Sequence, residues 1–210
     1  MSAELEQQYN LLQNELGALG YRLKEYQAIF VGTSPQRLDL YNRVAPVFFR
    51  MLYETMWGDM LMHLTRVTGP TMTLGKHHNL TLNCLPDLVA PECRDVVQAA
   101  VTAAVDAAKF AGPARNKVYA HTDLGVVKDP EKSGVVLGSV TEMREAVALS
   151  EAALDAVASY YGANRGTNFH NLGWGIAEDL LRMVELGDSV KYAKTADDLT
   201  KALAAAPPSE

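Results

Sequence analysis

Two cysteines in 210 residues, Cys84 and Cys93, rule out a disulfide framework, and their spacing does not match paired zinc ligands. They read as reduced thiols in or near a core. The chain has no uncharged apolar run of transmembrane length. It has no cationic-then-apolar leader, opening Met1-Ser2-Ala3-Glu4-Leu5-Glu6. The expectation is a cytoplasmic protein with no membrane partner. No glycine pattern of Walker or dinucleotide type occurs, which sets aside nucleotide hydrolysis by those routes. No alternating pattern argues for strands. Basic residues are outnumbered, 19 Lys and Arg against 25 Asp and Glu, for a net charge of −6. That excludes a broad non-specific nucleic-acid coat and leaves room for a small cationic cleft.

What is present is helical periodicity. Leu5, Tyr9, Leu12, Leu16, Leu19, Leu23, Tyr26 and Phe30 alternate four- and three-residue steps, an unbroken heptad seam. It predicts one long helix over 4–31, packed against a helix of the same bundle or of a second copy. Gly32-Thr33-Ser34-Pro35 breaks it, with Ser34 as N-cap and Pro35 at the first position of the next helix. A second long helix is predicted over 37–67, kinked or interrupted near Pro46. Its apolar face is Phe48, Phe49, Leu52, Met56, Met60 and Leu64. Residues 68–91 are looser, with a short helix near 80–88. A helix over 92–110 is stopped by Gly112-Pro113. Ser139-Val140-Thr141-Glu142 is a capping box opening a helix to about Tyr161, and another helix covers 176–186. The fold class is therefore all-α, a bundle of five or six helices with two long N-terminal ones. It is expected to be one domain over 1–203, with a disordered tail over 204–210.

The chemistry concentrates in Arg115-Asn116-Lys117-Val118-Tyr119-Ala120-His121-Thr122-Asp123. No acidic residue occurs from Ala107 to Thr122, while Lys109, Arg115 and Lys117 give a local charge of +3. Arginine holds phosphate through paired N–H groups, and histidine moves protons near neutral pH. A cationic island with a histidine in an acidic chain points to phosphate handling. Arg165 and His170 have similar spacing, so the pair is not unique. Arg115 and His121 are preferred because Asn116 and Lys117 flank them and the string opens a helix, where backbone N–H groups attract anions. On an ideal helix the two lie about 120° apart, so either Arg115 lies in an irregular turn or the site is completed across chains. His63, His77 and His78 offer a metal-binding alternative that no second carboxylate–histidine spacing supports, and no cofactor is expected.

The string RNKVYAHTD resembles the signature of the HEPN superfamily (higher eukaryote and prokaryote nucleotide-binding domains), in particular its abortive-infection AbiU-like branch. There an Arg-Asn-Lys…Ala-His-x-Asp string follows two long helices. The resemblance implies an all-α homodimer and a metal-independent endoribonuclease acting as a toxin or phage-defence effector. It also implies that arginine and histidine meet in a cleft at the dimer interface. RNA would be the substrate, and an antitoxin or defence-system protein a further partner. The resemblance makes Arg115 and His121 catalytic. By their chemistry Asn116 and Lys117 bind or orient RNA phosphate, while Arg66, near the end of the second helix, either lines the cleft as a further phosphate contact or, the plainer reading, is a surface or capping arginine. Tyr119 and Asp123 support the site. The chain lacks a tyrosine two residues after the histidine, where Asp123 stands, so control by modification of that tyrosine is not implied. The alternative is a HEPN-like dimer without catalysis that binds nucleotide or protein.

Overall fold

The computed structural model describes residues 1–73, 75–119, 128, 137–163 and 176–204. Helix dominates them, as the periodicity requires. Helix α1 spans Ala3–Phe30, α2 Pro35–Val44 and α3 Pro46–Val67. The heptad seam is buried within the single chain, Leu5, Leu12, Leu16 and Leu19 almost completely, so it is an internal packing surface. Ser34 caps α2 by accepting from the Arg37 amide at 3.2 Å, with Pro35 at its first turn. The predicted second long helix is two helices. Pro46 disfavours helical backbone at the residue before it, and Ala45 leaves the helix at φ −159°, ψ 67°.

The chain divides into two compact units, Met1–Leu23 with Trp57–Leu172, and Lys24–Met56 with Gly173–Glu210. In the first, the segment after α3 forms a two-stranded antiparallel hairpin, β1 (Met72–Thr73) with β2 (His77–His78), that the sequence pattern did not announce. A 3-10 turn at Leu82–Cys84 and the short α4 (Leu85–Leu88) follow. Helix α5 (Pro91–Ala107) leads into the short α6 (Ala111–Ala114) and packs along α7 (Val140–Tyr161). Ser139 and Glu142 form the expected capping box, the Glu142 amide donating to Ser139 Oγ and the Ser139 amide to Glu142 Oε2. The Tyr161 hydroxyl accepts from the Ala90 amide at 2.8 Å, an orphan donor at the start of α5 that Ala90 itself cannot cap.

In the second unit, Tyr41 stacks on Phe49 with ring centroids 4.0 Å apart and donates its hydroxyl to the Ile29 carbonyl. Ala177 and Leu181 of α8 (Ile176–Lys191) complete that core. Helix α8 runs past the predicted 186 to Lys191. A further helix, α9 (Ala196–Ala204), was not predicted. Thr195 and Asp198 cap it reciprocally. On α3, Phe49 is buried, but Phe48 faces solvent with Val47 and Met51, so the predicted apolar face is rotated at its start. Residues 205–210 of the expected tail lie outside the described residues.

Candidate functional site

Gly112-Pro113 does not stop the helix before the cationic string. The backbone stays helical from α5 through a 3-10 turn (Ala108–Phe110) into α6 (Ala111–Ala114) and a π-helical turn, Arg115–Tyr119. Pro113 has no N–H to offer the preceding turn, and the helix changes pitch around it rather than ending. The string therefore does not begin a helix, and Arg115 has no free N-terminal amides beside it to attract an anion. What replaces it is the π turn, a rare geometry that recurs at functional sites.

The turn is held against α3. Gly58 leaves room for the Tyr119 ring: a Cβ placed there would lie 2.5 Å from Cε1 and 2.6 Å from Cδ1. Trp57, the residue before it, donates its indole N–H to the Leu137 carbonyl at 3.0 Å. Tyr119 and Gly58 thus anchor the turn on the same helix that carries Arg66 at its last turn, and Trp57 ties Leu137 to that helix.

Arg115 and Arg66 line one cavity of about 790 Å³ in the first unit, with Glu15, Thr65, His78 and Asn79 also on its wall. Arg115 is half-buried. Its Nη1 donates to Asn116 Oδ1 at 2.8 Å, and its Nε is buried without a hydrogen-bond partner. Among the described residues no carboxylate pairs with Arg66, Arg115 or Lys117. A second cavity, about 470 Å³ in the other unit, differs: its Arg37 pairs with Glu178 and Glu185, and its Arg43 with Asp188. Arg43 holds the Asp188 carboxyl below the usual carboxylate range. Arginines already neutralised have little to offer an anion, which makes the first cavity the candidate site. Asn116 and Lys117 are exposed beside Arg115. His121 and Asp123, and the competing pair Arg165 and His170, lie outside the described residues.

A family comparison adds to this geometry: the family HEPN_AbiU2, described as AbiU2, matches residues 2–172. The chain belongs to the HEPN AbiU2 family. Neither a curated protein nor a solved structure matches it. The AbiU2 match spans α1 through α7, and so includes both cavity arginines and the whole RNKVYAHTD string.

Sequence reasoning missed a polar network around one buried histidine, behind Glu15 of the same cavity. His63, on α3, is only 2% exposed, yet its Nε2 is 2.8 Å from Glu15 Oε2 and its Nδ1 2.9 Å from Arg22 Nη1. Arg22 in turn pairs with Asp59 at 3.0 Å. Burial, opposed by Glu15 and reinforced by Arg66 and Arg22, holds the His63 proton affinity below its ordinary value. The signal was present: Glu15 and Arg22 lie seven residues apart, each just before a seam leucine, where charged side chains flank the neighbouring helix. His77 and His78 are exposed on β2 and apart from this network. Among the described residues no group of three or more His, Cys, Asp or Glu is arranged to hold a metal. Among them too, no helix is long and apolar enough to cross a membrane.

Proposed function

We propose that this AbiU2-family chain is a metal-independent endoribonuclease of a toxin or abortive-infection system, acting in the cytoplasm. The observation that carries the reading is the pairing of Arg66 with Arg115 on one cavity wall, neither neutralised by a carboxylate among the described residues. Two such guanidiniums suit a phosphodiester, which offers two non-bridging oxygens and gains charge density as it is attacked. RNA carries its own nucleophile, the 2′-hydroxyl, so cleavage needs a base, an acid and cations. In this reading Arg115 and Arg66 hold the scissile phosphate, and Lys117 extends the positive surface. Asn116 fixes the Arg115 guanidinium, and His121 transfers the proton. Tyr119 anchors the turn, and Asp123 pairs with a cation of the site.

The site is proposed to lie at a homodimer interface, so that two copies of His121 serve the two ends of the displacement. The internal burial of the heptad seam moves the dimer contact elsewhere. Antitoxin or defence-system partners are part of the same proposal.

The test is RNA cleavage on a denaturing gel with excess chelator, comparing wild type with Arg115→Ala, His121→Ala and His170→Ala. Cleavage that survives chelation and His170→Ala but disappears with Arg115→Ala and His121→Ala supports the reading. Loss with His170→Ala alone moves the site to Arg165 and His170. No cleavage by folded wild type over a broad RNA panel favours the binding-module alternative.

A further inference from the structure

Glu15 is an unexpected neighbour for two phosphate-binding arginines. A carboxylate on the cavity wall repels an anionic ligand, so a site built for binding alone would do better without it. It is nonetheless held in place. An arginine only donates hydrogen bonds, so His63 Nδ1 must accept from Arg22. The ring proton is then on Nε2, which lies 2.8 Å from Glu15 Oε2 as a close polar contact without hydrogen-bond alignment. Oε1 is left without a partner among the described residues, on a side chain 44% exposed. The charged groups facing His63 are Glu15 and Arg22 from α1, and Asp59 and Arg66 from its own helix. Burial and the two arginines hold the ring's proton affinity below its ordinary value.

We propose that Glu15 is the proton acceptor of the cavity and that His63 is the residue that positions it. The inference rests on the endoribonuclease reading and supplies that reaction with a base. Glu15 Oε1 takes the proton of the 2′-hydroxyl as the oxygen's electron pair forms the bond to phosphorus. The bond from phosphorus to the 5′-oxygen breaks, its pair leaving with that oxygen, which takes a proton from the general acid, the role given above to His121. The products are a 2′,3′-cyclic phosphate end and a 5′-hydroxyl end. The carboxyl proton returns to water, and no further reactant is consumed. Glu15 then takes the base role that the second copy of His121 holds in the reading above, and His121 keeps the acid role.

The experiment compares wild type, Glu15→Gln, Glu15→Asp, His63→Gln and His63→Leu. It measures single-turnover cleavage of an RNA oligonucleotide in chelator across pH. It also measures binding of a fluorescent 2′-O-methyl oligonucleotide, which cannot be cleaved, and thermal unfolding. For Glu15→Gln the expected result is a cleavage rate lower by about 100-fold, in the range general bases contribute. The low-pH limb of its rate profile should be lost, its binding equal or tighter, and its unfolding midpoint unchanged. Glu15→Asp should recover part of the rate, and His63→Gln, which keeps a donor toward Glu15, more than His63→Leu. Cleavage by Glu15→Gln within about threefold of wild type, with His121→Ala inactive, overturns this proposal alone. Rate, binding and unfolding midpoint falling together would make Glu15 a structural residue and also overturn it. No cleavage by wild type overturns the endoribonuclease reading and this proposal with it.

Discussion

Replacing Gly58 by alanine should destabilise the protein, although the same change in an unencumbered helix stabilises it. In a helix interior alanine is favoured over glycine by about 1 kcal/mol. Here the added Cβ would lie 2.5 Å and 2.6 Å from two carbons of the Tyr119 ring and 3.3 Å from a third. Carbon atoms rest at about 3.5–4.0 Å, so the ring must retreat by about 1 Å. Overpacking of that kind costs about 1–3 kcal/mol, which leaves a net destabilisation of about 0–2 kcal/mol. The decisive assay is a double-mutant cycle in urea at constant m-value: Gly58→Ala, Tyr119→Ala and the pair. With the ring removed, Gly58→Ala should turn stabilising by about 1 kcal/mol, a coupling of about 1–3 kcal/mol. Equal stabilisation by Gly58→Ala in both backgrounds would refute the contact, and with it the claim that Tyr119 anchors the π turn to α3. Because that turn carries Arg115, RNA cleavage by Gly58→Ala should fall even where the protein remains folded.

Three further outcomes follow from the same structure. His63 is held neutral in the fold, while an unfolded histidine titrates near about 6.5, so its contribution to stability is complete above that pH. As pH falls below it, the unfolded chain takes the proton first, so the wild-type unfolding midpoint should drop between pH 7 and pH 5 more steeply than that of His63→Gln; parallel curves would contradict this. Ser139→Ala removes one side of the α7 capping box and should cost about 0.5–2 kcal/mol by chemical denaturation, with Glu142→Ala adding less than its own full effect on top. Arg115→Ala should weaken RNA binding and reduce the slope of log affinity against log salt by about 1, measured by fluorescence anisotropy; an unchanged slope would remove Arg115 from the phosphate contacts.

Much of the helical architecture was legible because its causes are local. The 4,3 spacing of the α1 leucines marks one face whatever packs on it, and Ser34-Pro35 and Ser139 with Glu142 satisfy their helix ends with atoms a few residues away. Where a local rule has two outcomes, reading the chain was not enough. Gly112-Pro113 predicts a stop, but proline can also be accommodated by a change of pitch, and the chain continues helically into Arg115–Tyr119. Phe48 and Phe49 are adjacent and equally apolar, and packing of Phe49 on Tyr41 decides which of them is buried. The hairpin at Met72–Thr73 and His77–His78 is too short to show a periodic pattern.

The candidate site divides along the same line. The cationic island, the family signature that contains it and the helices that carry it are matters of residue type and near spacing, and can be read along the chain. Only the tertiary structure decided that Arg66 and Arg115, 49 positions apart, share a cavity. It also decided that Glu15 faces that cavity, with His63 buried behind it and Arg22 fixing its tautomer. Such pairings depend on the rotation of one helix against another. Close packing of whole faces sets that rotation, and no short stretch of chain encodes it.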